Sequence, residues 1–168
     1  MFEALKTAIS NLVEDAGAGN RLENKDGRLA AAALLIRVAT VNSEMSAARR
    51  ETLHAVLKSG FGLDDPTTAQ LIDDAAVAEG SAIDLYHFTR QLNDALDDEG
   101  RCRIVKMMWE IVYADGSVNE FEDNIIWRVA DLLGVSSRQR VELRQQIATR
   151  RAALPSVGTA EAAQPSRR

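Results

Sequence analysis

Five acids crowd one stretch of this chain: Glu110, Asp115, Glu120, Glu122 and Asp123, within WEIVYADGSVNEFEDNIIWRVADLLG at 109–134. Closely spaced carboxylates are hard oxygen ligands for Ca²⁺ or Mg²⁺, and in pairs they also run acid–base hydrolysis. The segment Asp115-Gly116-Ser117-Val118-Asn119-Glu120-Phe121-Glu122 matches the second half of an EF-hand loop. Its glycine sits at the sharp turn, its apolar residue two positions later, and its glutamate at the last ligand position. The first half is missing, because the first and third ligand positions fall on Ile111 and Tyr113. That excludes a complete high-affinity calcium loop.

A partial site remains, with Asp115 and Glu122 as carboxylate ligands and Ser117 offering its hydroxyl or carbonyl. Glu120 or Asp123 could add to it, and waters would complete a shell of six or more oxygens around a weakly held Ca²⁺ or Mg²⁺. The same residues also read as helix chemistry. Asn119 followed three positions later by Glu122 has the spacing of a capping box, acids suit a first helical turn, and Asp115-Gly116 is ordinary turn chemistry. Both readings stand on the sequence alone.

Helices must position this tip. Ile111, Val112, Val118, Phe121, Ile125, Ile126, Val129, Leu132 and Leu133 recur at helical spacing on both sides of Asp115-Gly116. The pattern predicts one helix over about 101–114 and another over 119–133, stopped by Gly134. Elsewhere, an apolar stripe of Phe2, Leu5, Ile9, Leu12 and Val13 predicts a helix over about 2–15, followed by a loop over 17–27. The nearly unbroken run LAAAALLIRVATV predicts a central, all-round buried helix over about 26–41. Ser46 is placed to cap a helix reaching 58 or 59, and Gly60-Phe61-Gly62 to stop it. Asp65-Pro66 opens a helix to Ala78. Ser81 with Asp84 caps another whose stripe is Ile83, Leu85, Phe88, Leu92 and Leu96, and 97–100 (DDEG) separates it from the next. Ser136 or Ser137 caps a last helix to about 150. The expected organisation is a single domain over 1–150 and a disordered tail over 151–168, rich in Pro, Gly, Ala and Ser.

An offset of 73 lays LLIRVATVNSEMSAARRETLHAVL over MMWEIVYADGSVNEFEDNIIWRVA. Leu35 then meets Met108, Ile36 meets Trp109, Val38 meets Ile111, Leu53 meets Ile126 and Val56 meets Val129; with one extra residue, Gly62 meets Gly134. The expected fold class is therefore all-α: about eight helices with two pseudo-repeated helical hairpins, each carrying a third helix. The copies differ at the tip, where Asn42 stands for Asp115 and Arg49 for Glu122. A cation, if held by one copy, belongs to the second.

Composition bounds the function. At 168 residues and 46% apolar content, the chain can bury one sizeable core. A net charge of −5 argues against nucleic acid as a partner. One cysteine, Cys102, leaves no intrachain disulfide and suits a reducing compartment. The N-terminus lacks a basic start and a long apolar run, so a cytoplasmic location is expected.

The phrase EIVYADGSVNEFEDNIIWRVADLLGVS resembles the core motif of the TerB-like domain family. The match comprises a helix, A-D-G, an apolar residue, an acid, a second helix, then L-G and a polar cap. This family includes the tellurite-resistance protein TerB, and a related domain lies at the membrane-side end of the DjlA co-chaperone. The resemblance covers about 1–150. It implies duplicated helical hairpins, a non-enzymatic cytoplasmic role in tellurite, metal or other stress or as a protein-interaction module, and a functional acidic surface at Asp115 and Glu122. The first copy departs from the pattern at Asn42 and Arg49.

For catalysis there is no nucleophile elbow, phosphate loop, Cys–His pair or H-E-x-x-H, and His54 and His87 lie on separate helices. A metal-dependent hydrolase built from Glu110, Asp115 and Glu122 is the enzymatic alternative; an adaptor without an ion site is the structural one. Arg138, Arg140, Arg144, Arg150 and Arg151 either solvate the last helix or meet an anionic lipid surface or acidic partner. A protein partner is the main expectation.

Overall fold

A computed structural model of the chain describes residues 25–41, 44–81, 84–116 and 118–153. Seven α-helices follow in order: α1 (Lys25–Thr40), α2 (Ala47–Phe61), α3 (Asp65–Ser81), α4 (Tyr86–Ala95), α5 (Asp98–Val112), α6 (Glu120–Leu132) and α7 (Ser137–Ala153). A 3₁₀ turn, Tyr113–Asp115, joins α5 to α6. The described residues include no strand, and the fold is all-α. The helix expected over 2–15 lies outside the described residues, as do the tail beyond Ala153 and all of the loop expected over 17–27 except 25–27, which are helical and open α1.

α1 is the axle. Ala30 to Leu35 are wholly buried in sequence, so the helix hides every face, as its unbroken apolar run requires. It packs on α3, α4 and α5, while α5 in turn packs on α7, α2 and α6. Trp109, Met108, Ile104 and Ile111 of α5, with Leu34, Leu35, Leu53, Leu57, Ile126 and Leu133, are among the largest buried side chains.

The duplication appears in the helix bounds. Adding 73 to the starts of α1 and α2, and 72 to that of α3, reproduces the starts of α5, α6 and α7. Ser46 caps α2 by accepting the amide of Arg49, and Asn119 caps α6 by accepting the amide of Glu122. Both helices end in the same way. Gly62 (φ 62°) and Gly134 (φ 72°) take the left-handed conformation that costs other residues strain, with Leu63 N–H reaching Lys58 O and Val135 N–H reaching Ala130 O. α4 falls between the two copies and has no counterpart among the described residues.

Several boundaries differ from the sequence reading: α2 runs through Gly60 to Phe61, so that Gly62 alone is the stop, and α3 runs past Ala78 to Ser81. Asp97-Asp98-Glu99-Gly100 is not a spacer: Asp97 is an N-cap accepting Gly100 N–H, and Asp98 and Glu99 occupy the first turn of α5. Acids there complement the helix dipole, so a run with loop composition is helical. Ser81 does not cap α4; it ends α3, bonding back to Val77 O and Ala78 O, while Asp84 accepts the amides of Tyr86 and His87. α7 continues to Ala153, three residues beyond the expected end.

Candidate functional site

The acidic tip is built where α5 breaks. Its 3₁₀ turn closes with Gly116 N–H donating to Tyr113 O, and Gly116 (φ 84°) reverses the chain into α6. Asn119 and Glu122 form the full capping box: Asn119 N–H donates to Glu122 Oε2 at 3.1 Å and Glu122 N–H to Asn119 Oδ1 at 2.9 Å. Glu122 is only 2% exposed, which for a carboxylate demands compensation.

That compensation comes from the other copy. Arg49, 5% exposed, extends from the first turn of α2 and pairs through Nη1 with Glu122 Oε1. Its Nη2 donates to Asp115 Oδ1 at 3.3 Å, and its Nε lies 3.0 Å from Asp115 Oδ2 as an ion-pair contact without hydrogen-bond alignment. The remaining donors reach main-chain carbonyls: Nη1 to Ala39 O at 3.2 Å and Nη2 to Val112 O at 3.3 Å. Ser46 Oγ adds a longer hydrogen bond, 3.4 Å, to Asp115 Oδ2. Burial by itself would lower the Arg49 pKa, but Glu122 and then Asp115 outweigh it and hold it above its ordinary value. The guanidinium is therefore charged at any working pH.

The structure thus brings Asp115 and Glu122 together as the sequence suggested, but around an arginine. Ser117, the third expected ligand, lies outside the described residues. Glu120 is exposed on the outer side of the first turn, and Asp123 faces away from Arg49, held 2.8 Å from Arg144 Nη1. Glu110 lines a different feature, an open groove of about 280 Å³ between α2 and α5 with Ser59, Gly60, Arg103, Lys106 and Met107. Its carboxylate lies 3.8 Å from Arg150. Among the described residues no three His, Cys, Asp or Glu side chains converge as metal ligands would.

The arginines of α7 are largely spoken for inside the fold. Arg144 donates to Tyr113 Oη (3.2 Å) and stacks over the Trp109 ring; Arg140 reaches Asp131, Val135 O and Trp127 O and covers the Trp127 ring. Arg151 donates to Ala114 O in the tip itself. Arg138, by contrast, pairs along its own helix with Glu142 and is almost fully exposed. Sequence reasoning saw this cluster as a surface charge, whereas Arg144 and Arg151 clamp α7 to the tip and Arg140 clamps it to the end of α6.

Reactive groups elsewhere are subdued. Cys102 is half-buried, and burial, then the charges of Asp98 and Glu99, push its thiol up, which disfavours the nucleophilic thiolate. His54 sits 3.8 Å from Asp65 on the surface and His87 packs edge-on to Phe88. Trp109 is 1% exposed and belongs to the core. Phe121, grouped with the core positions by its spacing, is instead 58% exposed on the rim of the tip.

The residue missed by sequence reasoning as a member of this site was Arg49. It was visible as the counterpart of Glu122 under the 73-residue offset, yet as a reason for an empty first copy rather than as the second copy's ion-pair partner. The signal was there: residues at matched positions of a two-fold repeat face each other when they lie near the axis.

Among the described residues, no helix is long and apolar enough to cross a membrane. The family model described as tellurite resistance protein TerB matches residues 28–145, from the first turn of α1 through the tip to the middle of α7. No curated protein and no solved structure gives a match. With most of its length under that one family model, the chain belongs to the TerB family of tellurite resistance proteins.

Proposed function

We propose that this chain is a non-catalytic, cytoplasmic TerB-family module that acts in stress response through contacts with a protein partner, and that its acidic tip is a structural joint. One observation carries the reading: the carboxylates that would bind an ion or do chemistry, Asp115 and Glu122, are both already paired with the buried Arg49. A hydrolase built from Glu110, Asp115 and Glu122 has no support in this arrangement, because Glu110 lines a separate groove. The exposed Phe121, next to Glu120 on the rim, supplies the kind of aromatic anchor that partner surfaces favour.

Weak Ca²⁺ or Mg²⁺ binding is the competing reading, and the 30% exposure of the Asp115 side chain leaves solvent a path to the tip. Calorimetric titration of Ca²⁺, Mg²⁺ and Zn²⁺ into the protein and into Asp115→Asn/Glu122→Gln separates the two. The expected result is no heat from either. Heat from the parent that disappears in the double variant would replace the joint by an ion-linked sensor. Partner contact is tested with a photo-crosslinking residue at position 121, which should trap a protein that the same residue at Asp73, on the far face of α3, does not.

A further inference from the structure

Arg49 occupies a special place in the duplication. Its two carbonyl acceptors, Ala39 O and Val112 O, are themselves 73 residues apart, one at the end of α1 and the other at the end of α5. Its carboxylate acceptor Glu122 is its own counterpart under the same offset. A group touched by matched atoms of both copies, and by the residue matched to its own, lies on the axis relating them. Around that point stand two helix C-terminal carbonyls, each at the negative end of a helix dipole, and the carboxylates of Glu122 and Asp115. This is an all-oxygen, negatively polarised shell, buried on every side but that of Asp115.

We propose that the two-fold axis carries one cation position, and that its occupant is the protein's own guanidinium. Arg49 supplies by covalent attachment the charge that such a shell would otherwise take from solution. The shell serves a planar guanidinium best, since five N–H donors can meet two carbonyls and two carboxylates at once. A hard divalent ion is the next best occupant, because carbonyl and carboxylate oxygens are its usual ligands. The inference rests on the reading above that no dissolved ion holds the tip of the parent protein.

The test is chemical rescue. Thermal unfolding of the parent and of Arg49→Ala is followed in guanidinium chloride on the order of 10 mM, far below denaturing levels, in CaCl₂, and in NaCl of matched ionic strength. Arg49→Ala should unfold about 10 °C or more below the parent. Guanidinium should restore a large part of that loss, CaCl₂ a smaller part, and NaCl none, while the parent responds to no salt selectively. Adding Glu122→Gln to Arg49→Ala should abolish the rescue. An Arg49→Ala protein indifferent to both cations overturns the proposal, as does equal rescue with Glu122→Gln present. Should Arg49→Ala not fold unaided, folding only when guanidinium is supplied supports the proposal. Arg49→Gln, which keeps more bulk, then takes its place under the same criteria. Heat on titrating the parent would sink the earlier reading; a variant that no cation rescues sinks this one.

Discussion

The two copies of the helical hairpin share a backbone and divide the chemistry between them. α2 and α6 start on a polar cap, Ser46 and Asn119, and stop on a left-handed glycine, Gly62 and Gly134. At the third helical position one has Arg49 and the other Glu122. The third helices diverge more widely: α3 carries four acids and no base, whereas α7 carries five arginines and one glutamate. Backbone-determining positions have stayed alike where geometry demands it, and side chains have become complementary where the copies meet. A single hairpin with glutamate in both copies would place two carboxylates in contact on the axis, an arrangement that repels unless an outside cation enters. With opposite charges at the same pair of positions, the joint closes by itself.

The largest effect should come from spoiling that complementarity. Arg49→Met leaves Glu122 buried without its charge partner and should cost about 3–5 kcal/mol in urea unfolding, as removal of one member of a buried pair generally does. Exchanging the charges, Arg49→Glu with Glu122→Arg, tests whether the copies are equivalent. It should recover part of the loss, but not all, because only α6 has the carboxylate cap and only the second copy has Asp115. A double exchange as unstable as Arg49→Met would mean that the surroundings of the pair, rather than its position on the axis, set its worth.

Much of this could be read before the fold was known, for reasons that differ by element. The existence of α2, α3, α5, α6 and α7 followed from helical spacing, caps and stop glycines, which are local. The burial of α1 on all sides followed from Ala30 to Leu35 lacking any polar face. The start of α5 was misread because Asp98 and Glu99 have loop composition while their position relative to the dipole makes them good first-turn residues. The exposure of Phe121 was equally hidden, since spacing gives the face of a helix but not whether a neighbour covers its first turn. At the site, the acids and the capping box were legible as local patterns. The Arg49 contact was not, because it joins residues 73 apart and depends on how the copies are docked.

Next in size are the turn glycines. Nothing lies within 4 Å of a Cβ added at Gly62, and the nearest atom to one at Gly134 is Arg101 Nη1 at 4.0 Å. Alanine at either place therefore meets backbone strain alone, about 1–2 kcal/mol. Gly62→Ala and Gly134→Ala should cost the same to within a few tenths. A clear inequality in their unfolding midpoints would show that one stop carries more of the fold than the other. Smaller again are the caps. Ser46→Ala should cost about 1 kcal/mol. Asn119→Ala should cost somewhat more, because its box partner Glu122 is held in place by Arg49 and loses the Asn119 contact.

The smallest expected effect separates α3 from α7 by pH. Asp64 accepts the Thr67 amide at 2.8 Å and caps α3; the matched Ser136 accepts the Gln139 amide at 3.3 Å while Gln139 Oε1 returns a bond to Ser136 N–H at 3.0 Å. One cap is a carboxylate and the other is neutral. Hydrogen bonding from Thr67, side chain first and then backbone, holds the Asp64 carboxyl below its ordinary 3.8. A carboxyl whose folded pKa is lowered binds protons less readily than in the unfolded chain. Its contribution is complete above 3.8 and disappears as pH falls through the lower, folded value. Because Asp64 is exposed, the change should be local rather than global. Amide exchange at Thr67 should therefore lose protection as the solution is acidified from about pH 5 to about pH 2, after correction for the intrinsic rate. Protection at Gln139 should stay level over the same range, since no carboxylate holds its cap. Parallel loss at both amides would assign the acid response to general loosening of the bundle and remove the distinction between the two caps.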